Sequence, residues 1–330
     1  MCLGDIEVLD EVQSPYISVI ITAYRRKQFL LGAVRSVLDQ TLCRKNFEII
    51  VIKDYTDREI DKILAQNNVR SILTGECSIG TMLLKAIRES KGEVLCFLDD
   101  DDLFHAEKLN IIYELFHNNT SVVYYWNPLT TNESLILGSL DHGSISLYGS
   151  IQEILNLGGN IRYNLSNISI RRKNLDTMAE KVLSRIESAQ DLTLFFLSLW
   201  NPGVYAIDSR KLTFYRIHTS SAMHSTSNND FVRQVNSLKK IEEVTSDGPV
   251  KKEISRVRIR LQLNSIIFGM PCKTSEIFGM LIEYTRFGIK SRIDLLTIIL
   301  LILETPNIEP INNLLKKAII FSFRRRYYAL

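Results

Sequence analysis

Short apolar runs alternate with helix-period stretches over residues 16–126. Five runs are found, at residues 16–22, 47–54, 69–74, 93–99 and 121–126. Each run is apolar almost throughout rather than alternating, which is typical of strands buried on both faces of a parallel sheet. Between the runs, apolar residues recur three or four positions apart, as Leu30, Ala33, Val34 and Val37 do, and this spacing indicates helices. The pattern predicts a doubly wound α/β fold in which parallel strands are connected by helices.

The second part of the chain is less regular. The segment Gly138–Gly159 is rich in Gly, Ser and Asn, which predicts a connecting region. Residues 163–172 form a predicted strand, and a single long helical stretch follows it. Residues 204–208 and 211–218 predict a β-hairpin that turns at Ser209–Arg210. Beyond this hairpin the pattern is largely helical to the C-terminus.

The composition is that of an ordinary globular protein. The 330 residues are 45% hydrophobic and 23% charged, which allows a sizeable core. A net charge of only +3 argues against a general nucleic-acid binder. The five cysteines are scattered without CxxC pairs, so the sequence favours reduced thiols over a zinc site or a disulfide framework.

The terminal segments set an expectation for location. The N-terminus lacks the basic region that opens a signal peptide. The longest apolar run, Leu295–Leu303, is shorter than the roughly 20 residues that a membrane-spanning helix needs. The sequence therefore predicts a cytoplasmic protein.

Four consecutive aspartates, Asp99–Asp102, follow the fourth predicted strand. In open α/β sheets, ligands bind at the carboxyl edge where these residues lie. Two unit charges about 4 Å apart interact by roughly 4 kcal/mol at an effective dielectric constant near 20, so four neighbours repel strongly unless a cation joins them. Oxygen ligands favour Mg²⁺ or Mn²⁺. The alternative is a helix N-terminal cluster, but one Asp suffices for a cap.

The first two strands end in further candidate ligand contacts. Small residues, Thr22 and Ala23, close the first strand and would let a ligand approach the backbone, and Tyr24 follows them. Asp54 ends the second strand at the same edge. The chain has neither a GxGxxG nor a GxxxxGK[ST] motif, which weakens dinucleotide oxidoreductase and P-loop interpretations.

The combination of these strand ends resembles the GT-A fold of family 2 glycosyltransferases. This resemblance implies a doubly wound, Rossmann-like α/β fold with a mixed, mainly parallel sheet flanked by helices. Their acidic element is LDxDD followed by an aromatic residue and a Lys-Leu pair, and the matching residues here are Leu98, Asp99, Asp101, Asp102, Lys108 and Leu109. The resemblance extends from about Tyr16 to Ser221. It implies a GT-A core over residues 1–225, with a nucleotide-sugar half (about 16–126) and an acceptor half (about 127–225).

The resemblance implies a donor site and a metal site. A nucleotide-diphosphate sugar (UDP-, GDP- or dTDP-linked) would border the residues at three strand ends: Thr22, Ala23, Tyr24, Arg25, Asp54, Asp99 and Asp100. Asp101, with Asp99, would hold Mn²⁺ or Mg²⁺. The "FYRIHTSSAMH" segment is similar to a family segment whose His completes the metal shell, which indicates His218, with His224 as the alternative.

The resemblance also implies a catalytic base. Family members carry an acidic dipeptide that opens a helix, and "SAQDLTLFF" places Asp191 at this position. Three departures affect the expected site. Leu83-Leu84 stands where many relatives have Arg-Asn, Gln190 replaces a Glu, and Leu197 lies near a common Arg.

The expected function is a metal-dependent, inverting transfer of a sugar to an acceptor hydroxyl of a glycan or lipid-linked glycan. Two alternatives stay open: a sugar-phosphate nucleotidyltransferase, which would release pyrophosphate, and a non-catalytic relative that binds a sugar nucleotide.

Residues 226–330 lie outside the resemblance and form a predicted helical C-terminal extension. Its last segment, 311–330, mixes basic and apolar residues at roughly helical spacing. Such a segment fits peripheral contact with an anionic membrane, where each Lys or Arg contributes about 1 kcal/mol. It equally fits an ordinary packing helix with a basic tail. Association into a homodimer is a further interpretation of the extension.

Overall fold

The computed structural model describes residues 14–24, 26–75, 77–140, 142–157, 161, 164–218, 228–267 and 270–287. Four parts of the sequence that carry predictions lie outside these residues: Arg25, His224, Leu295–Leu303 and the segment 311–330.

The described residues contain eleven strands and eleven α-helices. The strands are β1 (Ile17–Ala23), β2 (Phe47–Lys53), β3 (Arg70–Leu73), β4 (Val94–Asp99), β5 (Leu103–Phe104), β6 (Val122–Trp126), β7 (Leu129–Thr130), β8 (Ile145–Tyr148), β9 (Ile168–Arg171), β10 (Val204–Asp208) and β11 (Thr213–Phe214). The helices are α1 (Leu30–Leu38), α2 (Arg58–Gln66), α3 (Ile79–Glu89), α4 (Lys108–Asn118), α5 (Glu133–Leu137), α6 (Ile151–Asn156), α7 (Asp176–Leu183), α8 (Gln190–Ser198), α9 (Asn228–Val244), α10 (Pro249–Ile267) and α11 (Thr274–Arg286).

Eight strands form one mixed sheet in the order β3-β2-β1-β4-β9-β6-β10-β8. The first four are parallel to one another, as are β6 and β10. Strand β9 is antiparallel to both β4 and β6, and β8 is antiparallel to β10. The predicted mixed, mainly parallel sheet is confirmed. The parallel arrangement brings the carboxyl ends of β1, β2 and β4 to one edge.

Both faces of this sheet are covered. All seven residues of β1 are buried, because alternate side chains enter two separate apolar clusters. The predicted stripe of α1, Leu30, Ala33, Val34 and Val37, is buried in the cluster on one face. On the other face, α3, α7 and α8 pack together with α9 and α10 of the C-terminal region. These helices therefore complete the core of the sheet rather than forming a detached unit.

The predicted hairpin of residues 204–208 and 211–218 is wrong. Strand β10 pairs with β6 and β8 in the large sheet, whereas β11 pairs with β5 and β7 in a separate three-stranded sheet. Asp208 explains why the chain leaves the large sheet here. Its buried carboxylate accepts bonds from the Arg210 backbone N–H and guanidinium and from the Tyr125 hydroxyl.

Two other predictions of local structure are wrong. The segment Gly138–Gly159 contains β8 and α6, whose helix begins with a capping box between Ser150 and Glu153. The single long helix before residue 203 is divided into α7 and α8. Residues 184–189 separate the two helices, and the last of them, Ala189, has a left-handed backbone (φ 59°) that an L-residue adopts only when its surroundings enforce it.

The part of the chain that the structure describes offers no helix with the length and apolar character needed to cross a bilayer.

Candidate active site

A cleft of about 540 Å³ opens beside the carboxyl ends of β1 and β2. Its lining comes from the residues that follow these strands and from the loop before α3: Tyr24, Arg26, Lys27, Asp54, Tyr55, Thr56 and Cys77. Two cations and one carboxylate on an aromatic-bordered wall suit a ligand with a flat ring and an anionic group.

The four aspartates form a tight loop at the end of β4, next to this cleft. The backbone N–H of Asp102 donates to the carbonyl of Asp99 (3.2 Å) and closes the turn. Thr22, which faces Asp99 across the β1–β4 ladder, donates its hydroxyl to the Asp99 carboxylate (3.2 Å). Asp100, Asp101 and Asp102 are all buried. Burial and mutual repulsion raise the pKa of Asp99, and burial raises the pKa values of Asp100 and Asp102 to about 7.

Arg26 joins the cleft to the aspartate loop. Its guanidinium lies 2.6 Å from Asp100 Oδ1 and 2.6 Å from Asp101 Oδ2. The same Asp101 oxygen lies 2.9 Å from His218 Nε2. His218 is held beside the loop by Phe29, whose ring centroid lies 4.7 Å from that of the imidazole. The structure thus brings Asp101 and His218 together, although they are 117 positions apart in sequence.

Asp102 fixes the aspartate loop to the segment before β9 and to the residue Arg216. Its Oδ2 accepts the hydroxyl of Ser166 (2.6 Å) and the side-chain amide of Asn164 (3.3 Å), while its Oδ1 accepts the backbone N–H of Arg216 (3.3 Å). Ser166 also accepts the backbone N–H of Asp99 (3.0 Å). Because one hydroxyl fixes both ends of the turn, the loop has a set position relative to β9.

The same segment before β9 connects the aspartate loop to α8. Asn164 has a left-handed backbone (φ 67°), and its backbone N–H donates to Asp191 Oδ2 (3.0 Å). Asp191 lies in the first turn of α8, half-buried, and its Oδ1 accepts the Leu192 N–H (2.8 Å). Burial raises the pKa of Asp191, the direction expected for a carboxylate that accepts a proton. One residue, Asn164, therefore contacts both Asp102 and Asp191.

Lys108 supports this segment from inside the protein. Its buried ammonium donates to the Ser166 carbonyl (2.6 Å) and the Thr213 hydroxyl (2.9 Å) and lies 4.0 Å from the Phe104 ring centroid. The Lys of the acidic sequence pattern is thus a structural support for the loop that carries Asn164.

The pH dependence of stability should report on Lys108. Burial lowers the pKa of Lys108 to about 7, whereas a lysine in the unfolded chain has a pKa of about 10.4. Between these values the unfolded state binds the extra proton, so the free energy of unfolding should rise with pH by up to about 1.4 kcal/mol per unit. Urea unfolding from pH 7 to 10 should show a smaller rise for Lys108→Met than for the wild type. The exposed control Lys45→Met should keep the wild-type slope, and an unchanged slope in Lys108→Met would contradict the assignment.

The structure places the sequence-predicted donor residues in two settings. Tyr24 and Asp54 line the cleft, and Asp99 and Asp100 lie in the adjoining loop. Thr22 and Ala23 are buried in β1. Arg25 and the alternative histidine, His224, lie outside the described residues.

Several residues that build the site were not predicted from the sequence. Arg26 carries no signal that separates it from its basic neighbours, and Asn164 and Ser166 lie before a strand rather than after one. Arg216 donates its side chain to the Asp101 carbonyl (3.1 Å) and packs over Phe29. Its place in the "YRIH" segment was the available signal.

The departures from the family pattern have a structural counterpart. Leu83 and Leu84 are buried in the apolar cluster of α3, and Leu197 is buried in α8. These three side chains belong to the core. Gln190 is half-buried in the first turn of α8, next to Asp191.

The residues present fit a divalent cation. Asp101 and His218 converge on one point, and the Arg26 guanidinium already supplies positive charge there. Asp100 Oδ2 is buried without a hydrogen-bond partner. Among the described residues, no group of three or more His, Cys, Asp or Glu forms a ready ligand set. Mg²⁺ and Mn²⁺ sites that use one or two protein ligands plus substrate phosphates match this arrangement.

The sheet order and the acidic loop at its carboxyl edge define a GT-A fold. The crystal structure of S. aureus TarS 1-349 in complex with UDP-GlcNAc has this fold and aligns with a TM-score of 0.58. The alignment covers 94% of this chain and 90% of that one at 15% identity.

Residues 18–177, just under half of the chain, match the model of glycosyl transferase family 2. An uncharacterized glycosyltransferase of Rickettsia bellii is 30% identical over 135 residues, which is 39% of this chain and 19% of that protein. A second relative is the UDP-Glc:alpha-D-GlcNAc-diphosphoundecaprenol beta-1,3-glucosyltransferase WfaP of Escherichia coli. It is 27% identical over 230 residues, covering 68% of this chain and 86% of WfaP. The chain thus spans about a fifth of the first relative and most of the second.

Proposed function

We propose that this protein transfers a sugar from a nucleotide-diphosphate sugar to an acceptor hydroxyl by a single, inverting displacement. The observation that carries the proposal is the contact of Asn164 with both Asp102 and Asp191. This contact fixes a half-buried carboxylate with a raised pKa next to the acidic loop of a family 2 domain. Transfer requires such a pair of functions: one that binds the donor diphosphate and one that accepts the proton of the acceptor.

The donor would occupy the cleft beside β1 and β2. Tyr24 and Tyr55 would border the base, and Asp54 would accept hydrogen bonds from the nucleoside. Lys27 and Arg26 lie on the same wall and would neutralise the diphosphate. In this pose the diphosphate lies toward Asp101, and the sugar lies beyond it toward Asp191.

Asp191 would act as the general base. Two backbone N–H groups hold its carboxylate, that of Asn164 on Oδ2 and that of Leu192 on Oδ1. The acceptor hydroxyl would give its proton to this carboxylate as its oxygen bonds to the anomeric carbon and the bond to the diphosphate breaks. The nucleoside diphosphate leaves with the bonding electron pair.

A divalent cation, Mn²⁺ or Mg²⁺, would be held by Asp101, Asp99 and His218. When bound, it would supply positive charge to the leaving diphosphate. The protein's own contribution is to keep Asp101 and His218 2.9 Å apart through the Phe29 and Arg216 contacts.

The acceptor class is inferred from a relative. WfaP, by its name, uses UDP-Glc and a GlcNAc-diphosphoundecaprenol acceptor. We infer a UDP-sugar donor and a lipid-linked glycan acceptor for this chain as well, which would place it at the cytoplasmic face of a membrane. The basic segment 311–330 is a prediction for the membrane contact.

A thermal-shift screen of UDP-, GDP- and dTDP-sugars, with and without Mn²⁺, tests the donor site. A UDP-sugar with Mn²⁺ should raise the melting temperature, since a ligand at 100 times its Kd stabilises the folded state by about 2.7 kcal/mol. The shift should be smaller without Mn²⁺ and for the other two nucleotides. Absence of a shift with every nucleotide sugar would contradict the proposed donor site.

A further inference from the structure

Arg26 occupies the place where the proposed cation would bind. Its Nη1 lies 2.6 Å from Asp101 Oδ2 and 3.4 Å from His218 Nε2. Its Nη2 lies 2.6 Å from Asp100 Oδ1. The guanidinium therefore lies beside the Asp101–His218 contact, against the same Asp101 oxygen that His218 contacts and where the proposed cation would bind.

The positive charge of Arg26 and a divalent cation exclude each other at this position. An arginine stays protonated at any pH at which the protein is folded, so it cannot yield by losing its charge. Without Arg26, the buried carboxylates of Asp100 and Asp101 would lose the ion pairs that it makes with them. Arg26 thus stabilises the loop when it is empty of metal and opposes metal entry.

The cleft offers Arg26 a second set of partners. The residue lines the cleft wall next to Lys27, and its side chain is 25% exposed on that side of the loop. A guanidinium presents two parallel N–H donors that match the oxygens of a phosphate as well as those of a carboxylate. A donor diphosphate in the cleft would therefore accept the same pair of hydrogen bonds that Asp100 and Asp101 accept now.

We propose that Arg26 is an exchangeable counterion that makes metal binding depend on the nucleotide. It holds Asp100 and Asp101 until a nucleoside diphosphate arrives, and it then moves its hydrogen bonds to the diphosphate and frees Asp101 for the cation. This inference rests on the proposed function for the identity of the diphosphate. It makes a separate statement about the metal: Arg26 weakens the binding of a divalent cation to the protein alone.

The test measures Mn²⁺ binding to the full chain by the electron paramagnetic resonance signal of free Mn²⁺, with and without UDP. Arg26→Gln should bind Mn²⁺ alone about 10-fold more tightly than the wild type, a factor within the usual range for coupled sites. UDP should tighten Mn²⁺ binding by a larger factor in the wild type than in the variant. Arg26→Lys keeps the positive charge but lacks the two parallel N–H donors of the guanidinium. Its affinity for Mn²⁺ should lie between those of the wild type and Arg26→Gln.

Lys27→Gln is the matched control. Lys27 lines the same cleft, but its ion pair is with Asp57 (2.7 Å), the N-cap of α2, rather than with the loop. This variant should lower UDP affinity and leave the affinity for Mn²⁺ alone unchanged. If Arg26→Gln and Arg26→Lys both bind Mn²⁺ alone no more tightly than the wild type, the counterion role is wrong.

The two proposals fail separately. Tighter Mn²⁺ binding by Arg26→Gln together with no UDP effect on any variant would keep the counterion role and contradict the nucleotide-dependent function. Sugar transfer by the wild type together with unchanged Mn²⁺ affinity in Arg26→Gln would support the proposed function and contradict the counterion role.

Discussion

An Asp191→Asn variant should bind the nucleotide-sugar donor as the wild type does and lose sugar transfer by about 10²–10⁴-fold in kcat, the range that general base catalysis contributes. The amide cannot take the proton of the acceptor hydroxyl. Its oxygen can still accept the Leu192 N–H, and only the hydrogen bond from the Asn164 N–H is lost, because the amide nitrogen is a donor. The fold should therefore survive. The measurement is kcat for transfer, together with donor affinity from the thermal shift.

Gln190→Ala is the matched control for Asp191→Asn. Gln190 lies in the same turn of α8 and is also half-buried, but it has no role in the proposed proton transfer. Its effect on kcat should stay below about 10-fold, since no general base is removed. A comparable loss in both variants would show that the turn, rather than the Asp191 carboxylate, matters. Wild-type turnover by Asp191→Asn would exclude the base assignment.

An Asp101→Asn variant should lose both Mn²⁺-dependent donor binding and transfer, the latter by about 10²-fold or more, because charge stabilisation of the leaving group is of this size in other enzymes. Asp101 is the carboxylate that meets both Arg26 and His218. The neutral amide of Asn cannot supply the negative charge that a divalent cation needs at the position of Asp101. The measurement is the Mn²⁺ dependence of the thermal shift with a UDP-sugar, followed by kcat/KM.

An Asp100→Asn variant tests whether Asp101 acts as a specific metal ligand or whether any negative charge in the loop would serve. Asp100 is the variable position of the acidic pattern and contacts Arg26, whereas Asp101 contacts both Arg26 and His218. We expect it to retain Mn²⁺-dependent donor binding. Equal losses in Asp100→Asn and Asp101→Asn would contradict the special position of Asp101. The pair also differs from Asp191→Asn, which should change transfer without changing donor binding.

The fold was predictable because its signals are local. Buried parallel strands such as β1 and β4 are continuous apolar runs, and their carboxyl ends are visible as Thr22 and Asp99. The carboxyl edge of a parallel sheet then places residues that are 77 positions apart within hydrogen-bond distance. The family resemblance further implied a helix opening at Asp191, and α8 does begin at Gln190.

The hydrogen bonds and ion pairs inside the site were not predictable, because they join residues that are distant in sequence and leave no trace in the hydrophobic periodicity. Asn164 joins Asp102 to Asp191 through a left-handed backbone, and Arg26 reaches a loop 74 positions away. The failed hairpin has the same origin. Residues 204–208 and 213–214 are both good strands, and the choice of partner is made by the buried Asp208–Arg210 pair rather than by strand propensity.

The central claim is that this chain moves a sugar from a nucleotide-diphosphate sugar to an acceptor hydroxyl. The most direct measurement is product analysis of the wild-type protein with a UDP-sugar, Mn²⁺ and a GlcNAc-diphospho-lipid acceptor. We predict release of UDP in step with formation of a glycosylated lipid whose new bond has the inverted anomeric configuration, and formation of both products at least about 100-fold more slowly with Asp191→Asn. In a parallel assay with UTP and a sugar 1-phosphate, release of pyrophosphate together with formation of a UDP-sugar would identify a nucleotidyltransferase instead. Tight, Mn²⁺-dependent UDP-sugar binding without turnover on a broad acceptor panel would contradict the catalytic claim.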